Sequence, residues 1–172
     1  GVVVLHGGRG PYGRRSETWE YDGLDWKPGV TGPTRENHAM AYENARAQTV
    51  LFGGTGTVGA SNTTWLYDGA AWTQGPVAPS GLKARVLHAM AHDEARARTV
   101  LFGGQTSQGE ASDTWEWDGN TWTQKFPGIS PSARRTVAIG YDHDRERIVL
   151  FGGYSASVPG NGTLADTWEW DG

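Results

Sequence analysis

An apolar run closed by two glycines occurs four times in this chain, and that repetition constrains the fold more than any other feature. The copies are Val3-Val4-Leu5-His6-Gly7-Gly8, Val50-Leu51-Phe52-Gly53-Gly54, Val100-Leu101-Phe102-Gly103-Gly104 and Val149-Leu150-Phe151-Gly152-Gly153. The second glycines stand at 8, 54, 104 and 153, which gives steps of 46, 50 and 49 residues. A unit of this length that repeats in register cannot bury its own apolar face; it stacks on its neighbours.

Two further blocks keep fixed places in the unit. After each glycine pair comes Thr18-Trp19-Glu20-Tyr21-Asp22-Gly23, Thr64-Trp65-Leu66-Tyr67-Asp68-Gly69, Thr114-Trp115-Glu116-Trp117-Asp118-Gly119 or Thr167-Trp168-Glu169-Trp170-Asp171-Gly172. Trp26, Trp72 and Trp122 follow the first three Asp-Gly pairs by three residues. Ahead of the glycine pairs lie His38-Ala39-Met40-Ala41-Tyr42, His88-Ala89-Met90-Ala91-His92 and Val137-Ala138-Ile139-Gly140-Tyr141. The Val-Leu-Phe runs read as short strands covered on both faces. The Thr-Trp-Glu-Trp blocks alternate, so their aromatics share one side of a strand. The Asp-Gly pairs end that strand in a tight turn, where glycine supplies a positive φ. No stretch keeps a helical period.

Composition agrees with many short strands and tight turns. There are 26 glycines and 8 prolines in 172 residues, and nine tryptophans supply large apolar area. A net charge of −4 and a pI near 5.7 are not the footprint of a nucleic-acid binder. The absence of cysteine removes disulfides, thiolate metal sites and a thiol nucleophile. No apolar run reaches the ~20 residues of a membrane helix. The opening Gly1-Val2-Val3-Val4-Leu5 reads as mid-strand rather than as a signal peptide.

The glycine pair after an apolar strand, followed by an aromatic-Asp and then a tryptophan, resembles the kelch repeat, as in the central domain of galactose oxidase-like proteins. The aromatic and tryptophan stand five apart in Tyr21/Trp26, Tyr67/Trp72 and Trp117/Trp122, and an arginine precedes the first strand at Arg35, Arg85 and Arg134. The resemblance spans essentially the whole chain, and implies an all-β fold: a β-propeller of four-stranded antiparallel blades, here about three and a half of them. The units fall at 1–34, 35–84, 85–133 and 134–172, within one domain over 1–172. The His-Ala-Met block is expected innermost, then the Gly-Gly run, the Thr-Trp block, and the Trp26-type strand outermost. Counting strands gives three, four, four and three. Such a set is part of a ring: a stretch of a longer chain, the favoured expectation, or half of a ring that a homodimer completes.

The expected wedge between blades is the set Trp19, Trp26, Trp65, Trp72, Trp115, Trp117, Trp122, Trp168 and Trp170. Close backbone approach is expected at the pairs Gly7-Gly8, Gly53-Gly54, Gly103-Gly104 and Gly152-Gly153. Up-and-down connection puts the long loops on one face of the disc, where binding concentrates. Candidate ligand residues there are Tyr12, Arg14, Arg15, Gln105, Gln108, Tyr154 and Asn161, with the repeated Arg35, Arg85 and Arg134 able to grip a carboxylate at two points.

No catalytic or metal constellation emerges from the sequence, and no cofactor is expected. The copper cofactor of galactose oxidase-like relatives requires a cysteine, which is missing here. The Glu-Asp-His triplet of iron-dependent specifier proteins has no match. His38 and His88 recur at one repeat position, so a structural role, donating to a neighbouring carbonyl, outweighs a metal or anion ring. The leading expectation is a binding scaffold for a protein or glycan on the loop face. The alternatives are a sugar-active epimerase or hydrolase using the central channel, and a structural module of an extracellular assembly. The style of repeat favours a bacterial, secreted or surface protein.

Overall fold

The computed structural model describes residues 1–172, and the chain is all-β apart from one 3-10 turn at Asn44–Arg46. Two sheets have four antiparallel strands. In the second unit the order across the sheet is Ala39–Glu43, Gln48–Phe52, Thr64–Tyr67, Trp72–Gln74. In the third it is Ala89–Asp93, Arg98–Phe102, Thr114–Trp117, Trp122–Lys125. The first unit contributes Val3–His6, Thr18–Tyr21 and Trp26–Pro28; the fourth contributes Ala138–Asp142, Arg147–Tyr154 and Thr163–Trp170. Strands of one type keep one register: Leu51 faces Trp65, Leu101 faces Trp115 and Leu150 faces Trp168. No helix is long and apolar enough to cross a membrane.

Sequence explains the turns. Asp22, Asp68 and Asp118 each accept two backbone N–H groups from the residues that follow, at 2.8–3.0 Å. This Asp-capped turn brings the outer tryptophan back opposite the aromatic before the aspartate, as in Tyr67 against Trp72. Those rings stack 4.9 Å apart.

The sheets pack face on face. Val50 and Phe52 of the second unit form one buried cluster with Met90, Leu101, Trp115, Trp117 and Trp122 of the third. Each unit therefore sends its indoles onto the unit before it. The direction holds at every junction. The Trp72 N–H donates to Thr18 Oγ1 at 2.9 Å, the Trp122 N–H to Thr64 Oγ1 at 2.9 Å, and the Trp170 N–H to Glu116 at 3.1 Å. The first unit's indoles have no preceding sheet among residues 1–172 to pack on. Trp19 and Trp26 are 39% and 47% exposed, because they point backwards where no sheet lies against them. At the other end Phe151 is 52% exposed, whereas its counterpart Phe52 is fully buried.

Backbone bonds join the units on their inner side. The Leu87 N–H donates to Asn37 O and the Thr136 N–H to Leu87 O, each at 2.9 Å. All three residues adopt a left-handed φ between 54° and 57°.

Candidate functional site

The glycine pairs seat the long loops. Gly53 and Gly54 have φ of +68° and +80°, and a Cβ on Gly53 would stand 2.8 Å from the Arg85 carbonyl oxygen. This proximity lets the Gly54 N–H donate to Arg85 O at 2.9 Å; Gly8 with Arg35 and Gly104 with Arg134 repeat the bond. A short hairpin rises from each of the first three pairs: Arg9–Gly10 with Gly13–Arg14, Thr55–Gly56 with Gly59–Ala60, and Gln105–Thr106 with Gly109–Glu110. In the fourth unit the main strands themselves run on through Tyr154 and Thr163, past a bulge between Phe151 and Gly153. Strand order places these hairpins on the same face as the connections that lead from one sheet into the next.

The repeated arginines do not belong to the surface of that face. Arg85 and Arg134 are each 1% exposed. Arg85 donates to both carboxylate oxygens of Asp113 at 2.6 and 2.8 Å, and to Gly103 O. Arg134 binds Asp166 in the same way at 2.6 and 2.9 Å, and Gly152 O. Burial pushes the Asp113 carboxyl up, but the Arg85 guanidinium and the Trp115 N–H outweigh it and the net shift is downward. The Arg134 hydrogen bonds dominate at Asp166 and hold its carboxyl far below the usual range. These arginines fasten the loop base to the sheet, which corrects their assignment as ligand residues. Arg35 is partly buried and lacks a carboxylate; it donates to Thr34 O, Ser61 Oγ and Thr63 Oγ1. Thr63 stands where the third unit has Asp113.

The other predicted residues divide between engaged and free. Arg14 donates to Glu36 at 2.7 Å, and Arg9 joins it there at 3.0 Å. Arg15 is paired with Glu17, and the Gln105 amide with Thr106 O. Tyr154 lies under the Arg135 guanidinium, 4.5 Å from ring centre to cation, a favourable cation–π distance. Asn161 accepts the Thr163 N–H and shapes its own turn. Tyr12, 96% exposed, and the exposed Gln108 occupy hairpin tips with no side-chain partner.

Sequence reasoning missed Glu36, Glu110, Arg135 and Val58. Val58 is fully exposed at the tip equivalent to Tyr12 and Gln108. Phe126 and Ile129, each 82% exposed, add apolar area on the connection into the fourth unit. A signal for the charged pairs was present. The residue after each repeated arginine is Glu36, Val86 or Arg135, and the matching hairpin residue is Arg14, Ala60 or Glu110. The sign inverts between the first and third of these junctions, and Glu110 accepts from Arg135 at 3.2 Å.

His6, His38 and His88 are enclosed within the sheets rather than presented to solvent. His6 lies 2.8 Å from Pro33 O and 3.0 Å from Thr18 Oγ1. His38 and His88 face the backbone of His6 and Phe52 respectively, in keeping with a structural role, while His38 Nδ1 and both nitrogens of His88 are buried without a close, well-aligned partner. Burial pushes His88 down to about 3 and His38 down to about 4, so both rings are neutral at physiological pH. Their carbon edges fill the space above the glycine pairs, with His88 edge-on to Phe52 at 5.6 Å. No group of three or more His, Asp or Glu side chains converges as a metal site. No protein-family model and no curated protein matches the chain.

Proposed function

We propose that the stacked sheets are blades of a kelch-type β-propeller, and that the chain is a binding scaffold whose hairpin face takes a protein or a glycan. The observation that carries this reading is the contrast within the loops. Arg14–Glu36 locks the base under Tyr12, Arg35 with Ser61 and Thr63 the base under Val58, and Arg85–Asp113 the base under Gln108, whereas the three tips are exposed to solvent. A fixed base under a free tip limits the ordering cost of binding. Tyrosine at a tip supplies large contact area with few rotamers to immobilise.

The test is a glycan array, together with a display selection of protein ligands, probed with the parent chain and with Tyr12→Ala/Val58→Ser/Gln108→Ala. The expected outcome is binding by the parent that falls at least tenfold in the triple variant with no change in melting temperature. Ligands that bind both proteins equally would overturn the placement of the site.

A further inference from the structure

On the loop side, the second and third units meet over His88. Gly53 of the second unit lies on one side of this residue and Gly104 of the third on the other. A Cβ added to Gly53 would stand 2.8 Å from the ring's Cε1, and one added to Gly104 would stand 2.7 Å from the histidine's Cβ. The Phe52 ring closes a third side, edge-on at 5.6 Å. Both ring nitrogens are buried without a close, well-aligned partner. The charged and titratable groups that face the ring are Arg85, His38 and Asp113. Asp113 is the one carboxylate among them, and Arg85 already holds both of its oxygens. A proton added to His88 therefore places a charge beside a guanidinium, where neither water nor a free carboxylate reaches it.

The backbone at this point is strained. Leu87, immediately before the histidine, has a φ of +57°, a left-handed conformation that is costly for a residue with a side chain. Its N–H donates to Asn37 O of the second unit, and two residues earlier Arg85 O accepts the Gly54 N–H, each bond at 2.9 Å. Towards its own unit the segment is bound as a strand, with Arg85 and Val86 opposite Thr106 and Gln105 at the base of the Gln108 hairpin. Residues 85–88 thus belong to the third unit and are only latched to the second. The cluster around Val50 and Trp117 holds the two units together elsewhere, so the latch can part without separating the sheets.

The geometry points to an acid-operated latch in the loop face: when His88 takes a proton from solvent, the Gly54–Arg85 and Asn37–Leu87 bonds break, Leu87 relaxes, and the Val58 hairpin parts from the Gln108 hairpin. Opening lets water solvate the charged ring. Burial, with Arg85 and His38 adding to it, makes the enclosed ring titrate at about 3 against 6.5 in water, so the open form gains on the closed one as pH falls below 6.5. The fourth unit carries Val137 at the equivalent position, and its junction with the third lacks the trigger. Release of a ligand in acid would rest on the hairpin tips being the binding site; the opening itself does not.

Amide hydrogen exchange of the full chain without ligand, at pH 7 and pH 5 and corrected for the intrinsic rate at each pH, tests the latch. Protection of the Gly54 and Leu87 amides is expected to fall roughly twentyfold. Their exchange at pH 5 is expected to be insensitive to low urea, as a local opening requires, whereas the Leu101 amide of the central strand exchanges faster as urea is added. His88→Val, which installs the residue of the fourth unit, is expected to remove the fall. Unchanged protection of Gly54 and Leu87 in the parent chain would overturn the proposal. So would a fall that carries the urea dependence of Leu101, which is global unfolding, or a fall that persists in His88→Val. The parent chain alone decides the first two outcomes should the variant not fold. No ligand enters the measurement, so its failure is distinct from failure of the binding reading.

Discussion

At the scale of single residues, the interior of this chain is held by charged and polar groups that a hydrophobicity scan overlooks. Arg85 is sequestered with two bonds to Asp113, and breaking such a pair leaves a buried charge with no counter-ion and only the Gly103 and Lys83 carbonyls to accept from it. Asp113→Ala is therefore expected to cost about 3–5 kcal/mol in urea unfolding; a loss below 1 kcal/mol would show that the pair is peripheral. The buried histidines act through pH. His88 titrates near 3 in the folded chain and near 6.5 when unfolded, so above pH 6.5 neither state holds the proton. As pH falls from 6.5 towards 3 only the unfolded state is protonated, and stability declines by about 1.4 kcal/mol per pH unit for this group. Between pH 7 and pH 5, His88→Gln should lose about 2 kcal/mol less stability than the parent. Equal losses would mean that His88 is solvated.

At the scale of strands and turns, position in the array decides what a repeated residue is worth. Trp122 and Trp26 hold one place in the repeat, yet Trp122 is 3% exposed and Trp26 is 47% exposed. Trp122→Ala is expected to cost about 3–5 kcal/mol, and Trp26→Ala less than about 1 kcal/mol. Comparable losses would contradict backward-pointing indoles. The elements were legible because their periods are unambiguous: a continuous Val-Leu-Phe run, an alternating Thr-Trp-Glu-Trp run and an Asp-Gly turn admit one reading each. Directionality across sheets was not legible. Whether Trp122 faces Phe52 or the sheet after it depends on the stagger of neighbouring sheets, and nothing local to Trp122 specifies that stagger. The same gap hid the place of Leu66. It replaces the glutamate that accepts from Tyr67 or Trp170 at the flanking junctions, and leaves the Trp117 N–H buried without an acceptor.

At the scale of the molecule, the sheets form an open stack whose junctions are individually coded. The hairpin-to-sheet pairs are Arg14–Glu36 at the first junction and Glu110–Arg135 at the third, and the second has the apolar Ala60 and Val86 at the equivalent positions, so a mispaired neighbour would set like charges together or leave a charge against an apolar side chain. The candidate site was half legible. Tyr12 and Gln108 sit at free tips as the loop pattern suggested, because glycine-bounded turns project their middle residues. The repeated arginines misled, since two-point donors suit a buried carboxylate as well as a bound one, and nothing in the sequence pairs Asp113 with Arg85 or Asp166 with Arg134 across 28 and 32 residues. The stacking of the sheets and the stability ranking both rest on each sheet driving its indoles into the sheet before it. The most direct measurement is solution NMR of the Trp122 indole. The account predicts cross-peaks from its N–H to Thr64 and from its ring to Phe52, with N–H exchange far slower than that of Trp26. An indole that exchanges as fast as Trp26 and shows no contact with Phe52 would contradict it.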